Sequence, residues 1–381
     1  KTDRVLLDNL DVEKMEGTVV QVPGSTSNRT EKNQITFDVD RRYEYINGNR
    51  VYYNVQNFNQ KMDVGETDAM NYLESYCSVY VRGMDEDEAV IIAIYPKNGK
   101  TTFIEIEDIN INTMKLDELT TRGRLYYYDK SYSSSREQSV YIDQSQITYY
   151  YNGTKETGAT IDDIKNRLDK GINGVIRLVN NDNDSEYDVV FIYDYTDIVV
   201  DDVNLKNYRI LGKNNGGSLY LDNTEPDACF TIEKNGREIE LSDIRKDDVL
   251  SYYGRVEDRK LLSGKVIVSP NSVVEGSITS YSPDDHEIEV DYEKFEYKPE
   301  NFTERDLRVG SYGMFYLNFR NKIIASDTKI MLSNTKFGFV TKIGTGGGIS
   351  SSLEARMLTA DGNWVTYNFA NKVIVNGEDN S

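Results

Sequence analysis

The sequence predicts an all-β protein: a tandem array of small five-stranded Greek-key barrels of the OB or SH3-like kind, each with one short helical turn. Three observations predict it. Alternation of apolar and polar residues with period two recurs along the chain, as in Ile35-Thr36-Phe37-Asp38-Val39, Ser139-Val140-Tyr141-Ile142 and Glu287-Ile288-Glu289-Val290-Asp291-Tyr292. Long segments of helical period are missing, so the helix candidates are single turns near residues 66–74, 160–169, 242–246 and 303–308. A composite pattern also repeats, and repetition at this scale marks an array of similar units.

Each repeat opens on a strand of the form Gly-x-(Val/Leu/Ile): Gly17-Thr18-Val19, Gly123-Arg124-Leu125, Gly276-Ser277-Ile278 and Gly338-Phe339-Val340, with a degenerate copy at Tyr208-Arg209-Ile210. A second strand follows, then a third that ends in an Asn-Gly turn: Asn47-Gly48, Asn152-Gly153, Asn235-Gly236 and Asn376-Gly377. Asn and Gly both tolerate positive φ, which a tight hairpin requires. The fourth copy has Tyr297-Lys298-Pro299-Glu300-Asn301 there instead.

The helical turn comes next, at Thr160-Ile161-Asp162-Asp163-Ile164, Ser242-Asp243-Ile244-Arg245-Lys246-Asp247-Asp248 and Thr303-Glu304-Arg305-Asp306-Leu307-Arg308-Val309-Gly310. Ser or Thr suits the cap, and Gly310 suits the exit. A last hairpin closes each unit on Ala89-Val90-Ile91-Ile92, Val189-Val190-Phe191-Ile192, Lys265-Val266-Ile267-Val268 or Lys322-Ile323-Ile324-Ala325. Its acidic tips include Asp85-Glu86-Asp87-Glu88 and Asn181-Asp182-Asn183-Asp184.

The expected organisation is therefore an N-terminal arm or the closing strand of a preceding unit over 1–14, then barrel units over 15–119, 120–205, 206–273 and 274–334, and an incomplete fifth unit over 335–381. The extra length of the first two units falls in loops at residues 23–33 and 131–138, where insertion costs little. The fifth unit stops after its Asn-Gly turn, and Val5-Leu6-Leu7 resembles a closing strand. Either the chain is cut from a longer array, or a neighbouring subunit completes the half-unit by strand exchange.

Composition narrows the function. The 381 residues carry 64 acidic and 44 basic side chains, a formal charge of −20, which argues against nucleic acid as a partner. One histidine, His286, rules out a multi-histidine metal site, and its place after Asp284-Asp285 reads as a solvated turn. Cys77 and Cys229 lie among apolar residues and read as buried free thiols. No apolar run reaches the roughly 18 residues of a membrane span, and no signal-peptide core precedes the first unit. Gly344-Thr345-Gly346-Gly347-Gly348 joins two strands, so it reads as a hairpin and not as a phosphate cradle.

Two groups of residues are candidates for chemistry. Asp182, Asp184, Glu186 and Asp188 alternate like the start of a calcium loop, although Tyr187 stands where such a loop has Gly and Tyr193 where it has its last acid. Calcium is thus the one cofactor expected, held there or at low affinity between units. Tyr127 and Tyr150, within Tyr126-Tyr127-Tyr128 and Tyr149-Tyr150-Tyr151, could stack sugars or form a protein interface; the alternative is ordinary core packing of amphipathic rings. Neither a nucleophile with its base nor a cleft-bound carboxylate pair is legible, so no enzyme activity is expected.

The Gly-x-Val opener, the Asn-Gly hairpin, the turn at Ser242-Asp243-Ile244-Arg245-Lys246-Asp247-Asp248 and the closing Lys-Val-Ile-Val strand resemble the small β-barrel repeats of surface proteins of Gram-positive Firmicutes that carry S-layer homology domains. That resemblance implies an extracellular structural or adhesive array at the cell surface, self-associating as lattice, filament or spacer. A wall-polysaccharide-binding module and a phage tail or baseplate component are the alternatives.

Overall fold

The computed structural model describes residues 12–26, 31–46, 49–83, 89–97, 99–107, 110–116, 122–128, 137–143, 145, 147–213, 216–225, 228–302, 306–329, 338–345, 353–359, 362–369, 373–375 and 378–380. The chain is all-β, a set of small sheets with one closed five-stranded barrel and a single α-helix among the described residues. It divides into two compact units, residues 1–246 with 251–267 and residues 247–250 with 268–381.

The first body is the barrel. It comprises β1 (Val12–Gln21), β2 (Gln34–Ile46), β3 (Asn49–Asp63), β4 (Tyr76–Arg82) and β5 (Val90–Pro96), in the closed order β1-β2-β3-β5-β4, with a 3-10 turn at Ala69–Tyr72 between β3 and β4. Alternation puts Met15, Val19, Ile35, Phe37, Val39, Cys77, Val79 and Ile91 inside, each with no exposed surface. The opener has a steric reason. A Cβ on Gly17 would stand 1.9 Å from the carbonyl oxygen of Asp38, where the β1–β2 register shifts at a bulge. β5 meets β3 in parallel at Asp63 and Val90, which closes the ring.

The second body contains β6 (Thr102–Glu107), β7 (Asn110–Leu116), β8 (Arg122–Tyr128), β9 (Glu137–Asp143), β10 (Thr148–Tyr151), β11 (Thr154–Lys155), α1 (Ile161–Asp169), β12 (Gly174–Asn180) and β13 (Val189–Asp194). One sheet runs β11-β10-β13-β12-β6 and another β7-β8-β9. Strand pairing crosses the expected division at residue 119, because β6 pairs with β12 along its whole length. The Gly123 opener therefore lies on the middle strand of a meander and not on a first strand, and its missing side chain leaves room for Ile161 Cδ1 of α1. The sequence pattern could not distinguish these positions, because both demand close approach at a glycine. The helix is capped as expected: Asp163 accepts from the Thr160 backbone N–H and hydroxyl, both at 2.8 Å, and Ile161, Ile164 and Leu168 face the core.

The third sheet has β14 (Thr196–Asn204), β15 (Arg209–Gly212), β16 (Ser218–Tyr220), β17 (Cys229–Lys234), β18 (Arg237–Glu238), β19 (Val249–Glu257) and β20 (Lys260–Val268), in the order β16-β15-β14-β19-β20-β17-β18. A parallel contact of Tyr220 with Lys260 joins β16 to β20. The fourth body is β21 (Val273–Ser282), β22 (Glu287–Val290), β23 (Glu293–Glu296), β24 (Tyr312–Leu317) and β25 (Ile323–Lys329), ordered β23-β22-β21-β24-β25 around Ile278, Ile288, Phe295, Phe315 and Ile323. The tail carries the meander β26 (Gly338–Thr345), β27 (Leu353–Thr359), β28 (Trp364–Asn368) and a hairpin of β29 (Val373–Val375) with β30 (Glu378–Asn380).

The turns follow their chemistry. Asn152 and Gly153 have φ of 48° and 82°, Asn235 and Gly236 have 55° and 70°, and Gly310 has 88°. The turn at Leu241–Asp243 is capped by Glu240 rather than by Ser242. Asn47-Gly48, Asn376-Gly377, Thr303, the tip at residues 85–88, the loop at 131–136, Gly346-Gly347-Gly348 and the arm at 1–11 lie outside the described residues.

Candidate functional site

The acidic tip between β12 and β13 is the metal candidate. Carboxylate oxygens of Asp182, Asp184 and Asp188 lie within 4.8 Å of one another. A web of short hydrogen bonds shapes the turn. The Asp184 N–H donates to Asp182 Oδ1 at 3.0 Å, the Glu186 N–H to Asp184 Oδ1 at 2.6 Å, and the Asn183 N–H to Asn180 Oδ1 at 2.9 Å. Asn183 itself takes a φ of 69°, a conformation that Asn tolerates. Glu186 is buried and lies outside the cluster, so three of the four expected ligands come together.

Asp188 is the electrostatically loaded member. Burial pushes its carboxyl up to about 6; the Asn181 N–H, donating at 2.8 Å, opposes this, while Asp182, Asp184 and Asp143 reinforce it. Three clustered carboxylates repel one another unless a proton or a cation lies between them, and hard oxygen donors of this kind suit calcium or magnesium.

The tyrosines resolve differently. Tyr150 has no exposed surface, so of the readings open to it core packing describes the ring and no sugar can stack on it. Its ring stacks on Phe191 at 4.7 Å and 16°, packed with Leu73, Val179 and Val189. Its hydroxyl donates to Glu74 Oε1 at 2.7 Å, and Lys155 Nζ reaches the same oxygen at 3.1 Å. Burial and the Glu74 carboxylate both hold the Tyr150 hydroxyl protonated far above the ordinary phenol range. Tyr127 is half-buried and packs against the core of the second body.

Tyr150 thus belongs to a joint between the barrel and the second body. Arg177 donates to the Asn71 carbonyl at 2.8 Å, Asn181 to the Glu74 carbonyl at 3.3 Å, and the Lys155 N–H to the Ser25 carbonyl at 2.9 Å. The aromatic series continues from Phe191 to Tyr193 at 6.1 Å, then to Tyr253 at 4.7 Å, which meets Tyr195 edge-on at 5.0 Å. Ser251 donates to Asp197 Oδ1 at 2.6 Å beside it.

Sequence reasoning missed this seam, although runs of Tyr at the ends of β10 and β13 were its signal. It also read the 23–33 insertion as a tolerated loop. In the structure Lys32 Nζ donates to the Asn223 carbonyl at 2.6 Å, the Cys229 thiol to the Lys32 carbonyl at 3.7 Å, and Ser25 is fully buried. Ser25 and Lys32, at the two described ends of the insertion, tie the barrel to the second and third bodies.

Cys77 and His286 match their sequence reading, whereas Cys229, expected to be buried, is half-buried. Cys77 is buried and its thiol is pushed up to about 12, Cys229 is raised by burial too, and His286 is exposed at the end of a turn. No described helix is long and apolar enough to cross a membrane. No protein-family model matches the chain, and no curated protein matches it.

Proposed function

We propose that the chain is a non-enzymatic structural protein: a tandem array of small Greek-key barrels that serves outside the cell as a lattice, filament or spacer subunit and associates with itself through β-rich surfaces. The observation that carries this reading is one strand plan used repeatedly. In three bodies the opening strand lies between its hairpin partner and a later strand (β1 between β2 and β4, β14 between β15 and β19, β21 between β22 and β24), and parallel contacts recur in four, at Asp63–Val90, Thr148–Val189, Tyr220–Lys260 and Tyr297–Ile323. Recurrence of a small β unit, with aromatic and ionic seams between neighbours in the first compact unit, supports a repeat protein that works through its surfaces.

The shifted ionisable groups support a structural role. They are mostly tyrosines and thiols pushed away from reactivity by burial, and the two acids raised, Asp38 and Asp188, sit on β2 and on a hairpin tip. The excess of acid favours solubility and extension, with calcium as the cofactor of assembly. Electron microscopy with and without millimolar calcium tests the proposal: ordered polymers or sheets are expected, and a strictly monodisperse monomer under both conditions would sink it.

A second reading, glycan binding, has one observation in its favour. Tyr95 is 48% exposed on the outer face of the barrel, its ring 5.8 Å from Tyr80. Retention on insoluble wall polysaccharide that disappears in Tyr95→Ala would favour it.

A further inference from the structure

The tail sheet repeats the first three strands of a barrel without its cover. Pairing across β26, β27 and β28 aligns Val340 with Met357 and Val365, and Ile343 with Ala355 and Tyr367, while Leu353 lies opposite Thr345. Cross-strand partners share a face, so these side chains form one apolar surface. In the barrel the equivalent face is the core. Here Val340 is 44%, Ile343 55% and Leu353 46% exposed. The Tyr367 hydroxyl on this face is shielded from solvent and has no hydrogen-bond partner. Among the described residues β26 and β28 pair with β27 alone, so both edges are open.

The other bodies show what belongs there. Each brings a late strand into parallel contact with an earlier one, and in two of them that strand carries three aliphatics after a basic residue that lies within it or just ahead of it: Lys265-Val266-Ile267-Val268 and Lys322-Ile323-Ile324-Ala325. Val266, Val268 and Ile323 are fully buried in those places. The sequence has a third segment of this composition, Arg4-Val5-Leu6-Leu7, ahead of the first opener.

Charge favours the same encounter. Residues 335–381 carry four basic and four acidic side chains, so the whole charge of −20 belongs to residues 1–334. Two copies of so acidic a chain repel each other over most of their length, and the neutral tail is where a second copy can approach.

We propose that β26–β28 is a strand-accepting surface for a second copy of this chain, whose Arg4-Val5-Leu6-Leu7 segment adds along β28 as a fifth strand. The added strand supplies backbone hydrogen bonds to an open edge and aliphatic side chains to the apolar face. Because donor and acceptor lie in different repeats, the contact is head-to-tail and propagates into a filament. This rests on the self-association proposed above and names its joint.

The test is sedimentation of the full chain over a range of concentrations. The unaltered chain is expected to form a ladder of oligomers. Leu6→Asp and Ile343→Asp are each expected to raise the midpoint concentration at least ~100-fold, since either places a charge in an apolar contact. Mixing the two variants restores one intact donor facing one intact acceptor, so the mixture should form dimers and stop there. A variant that failed to fold could not complement, which separates misfolding from loss of contact.

Oligomers that persist in both variants would overturn the strand-accepting role and leave self-association standing. Dimers lost in Ile343→Asp but kept in Leu6→Asp would overturn it in favour of two tail sheets packed face to face. A monomer at every concentration would overturn both this inference and the assembly reading.

Discussion

The strands β1–β3 and β26–β28 are both three-stranded antiparallel meanders, and they differ in what covers them. The first is closed by β4 and β5, and Val19, Ile35 and Phe37 have no exposed surface. The second has no such cover among the described residues, and Val340, Ile343 and Leu353 keep about half of theirs. Alternation therefore decides which face a side chain takes, whereas burial is decided by strands distant in sequence. One pattern yields a rigid core in one place and an adhesive surface in the other.

The comparison breaks first, and most visibly, at Phe37. Phe37→Ala leaves a cavity in a closed barrel and should cost ~3–5 kcal/mol, read as a drop in the denaturant midpoint at unchanged slope. A loss under 1 kcal/mol would mean that the barrel is loosely filled and that closure contributes little.

The seam between barrel and second body comes next. Tyr150→Phe keeps the stack on Phe191 but removes the donor to Glu74, leaving Lys155 as the partner of that carboxylate. A loss of ~1–2 kcal/mol is expected, because the ring is buried and Glu74 loses a hydrogen-bond donor. Differential scanning calorimetry should show the barrel and second body unfolding as one transition in the wild type. If Tyr150→Phe leaves the transition unmoved, Glu74 is satisfied without it and the joint is apolar alone.

The all-β content, the α-helix capped at Thr160 and the Asn152-Gly153 and Asn235-Gly236 turns were legible in the sequence, because each depends on neighbours within about four residues. What escaped depends on distant pairing. Gly123 and Gly17 carry the same opener, yet one lies on a second strand beneath α1 and the other on a first strand against Asp38. The seam escaped for the same reason: the ring of Tyr150 could have faced a sugar or Phe191, and only the path of β13 decides. The acidic tip was read more nearly, since Asp182, Asp184 and Asp188 alternate on one short turn. Glu186 was assigned with them on spacing alone, and the bend of the backbone takes it elsewhere.

The acidic tip gives a smaller and pH-dependent effect. The carboxyl of Asp188 titrates near 6 in the folded protein against about 3.8 for an ordinary aspartate. A raised folded value stabilises the fold fully below about pH 4, and that contribution is lost as pH climbs through 6. Because the side chain is half-exposed, solvent screening reduces the swing to ~1 kcal/mol. Asp188→Asn keeps an acceptor for the Asn181 N–H but not the charge, so it should gain ~1 kcal/mol on the wild type between pH 4 and pH 7. Millimolar calcium should erase that advantage by stabilising the wild type. Parallel stability curves for the two proteins across this range would show that the Asp188 carboxyl is not raised in the folded protein.

The smallest effect is the sharpest test of the contrast. Ile343 and Ile35 are the same residue on the same kind of strand, one 55% exposed and the other fully buried. In a dilute, monomeric sample Ile343→Ala should change stability by less than ~0.5 kcal/mol, whereas Ile35→Ala should cost ~2–5 kcal/mol. Amide exchange adds the mechanism. Protection across β26 should be shallow and nearly unaffected by Ile343→Ala, because an open edge frays locally while the closed barrel opens only globally. Raising the concentration should deepen protection in β28 before β26, since the proposed incoming strand pairs with the third strand. A cost above 2 kcal/mol for Ile343→Ala in the monomer would mean that the chain covers this face itself, and the difference between the two meanders would vanish.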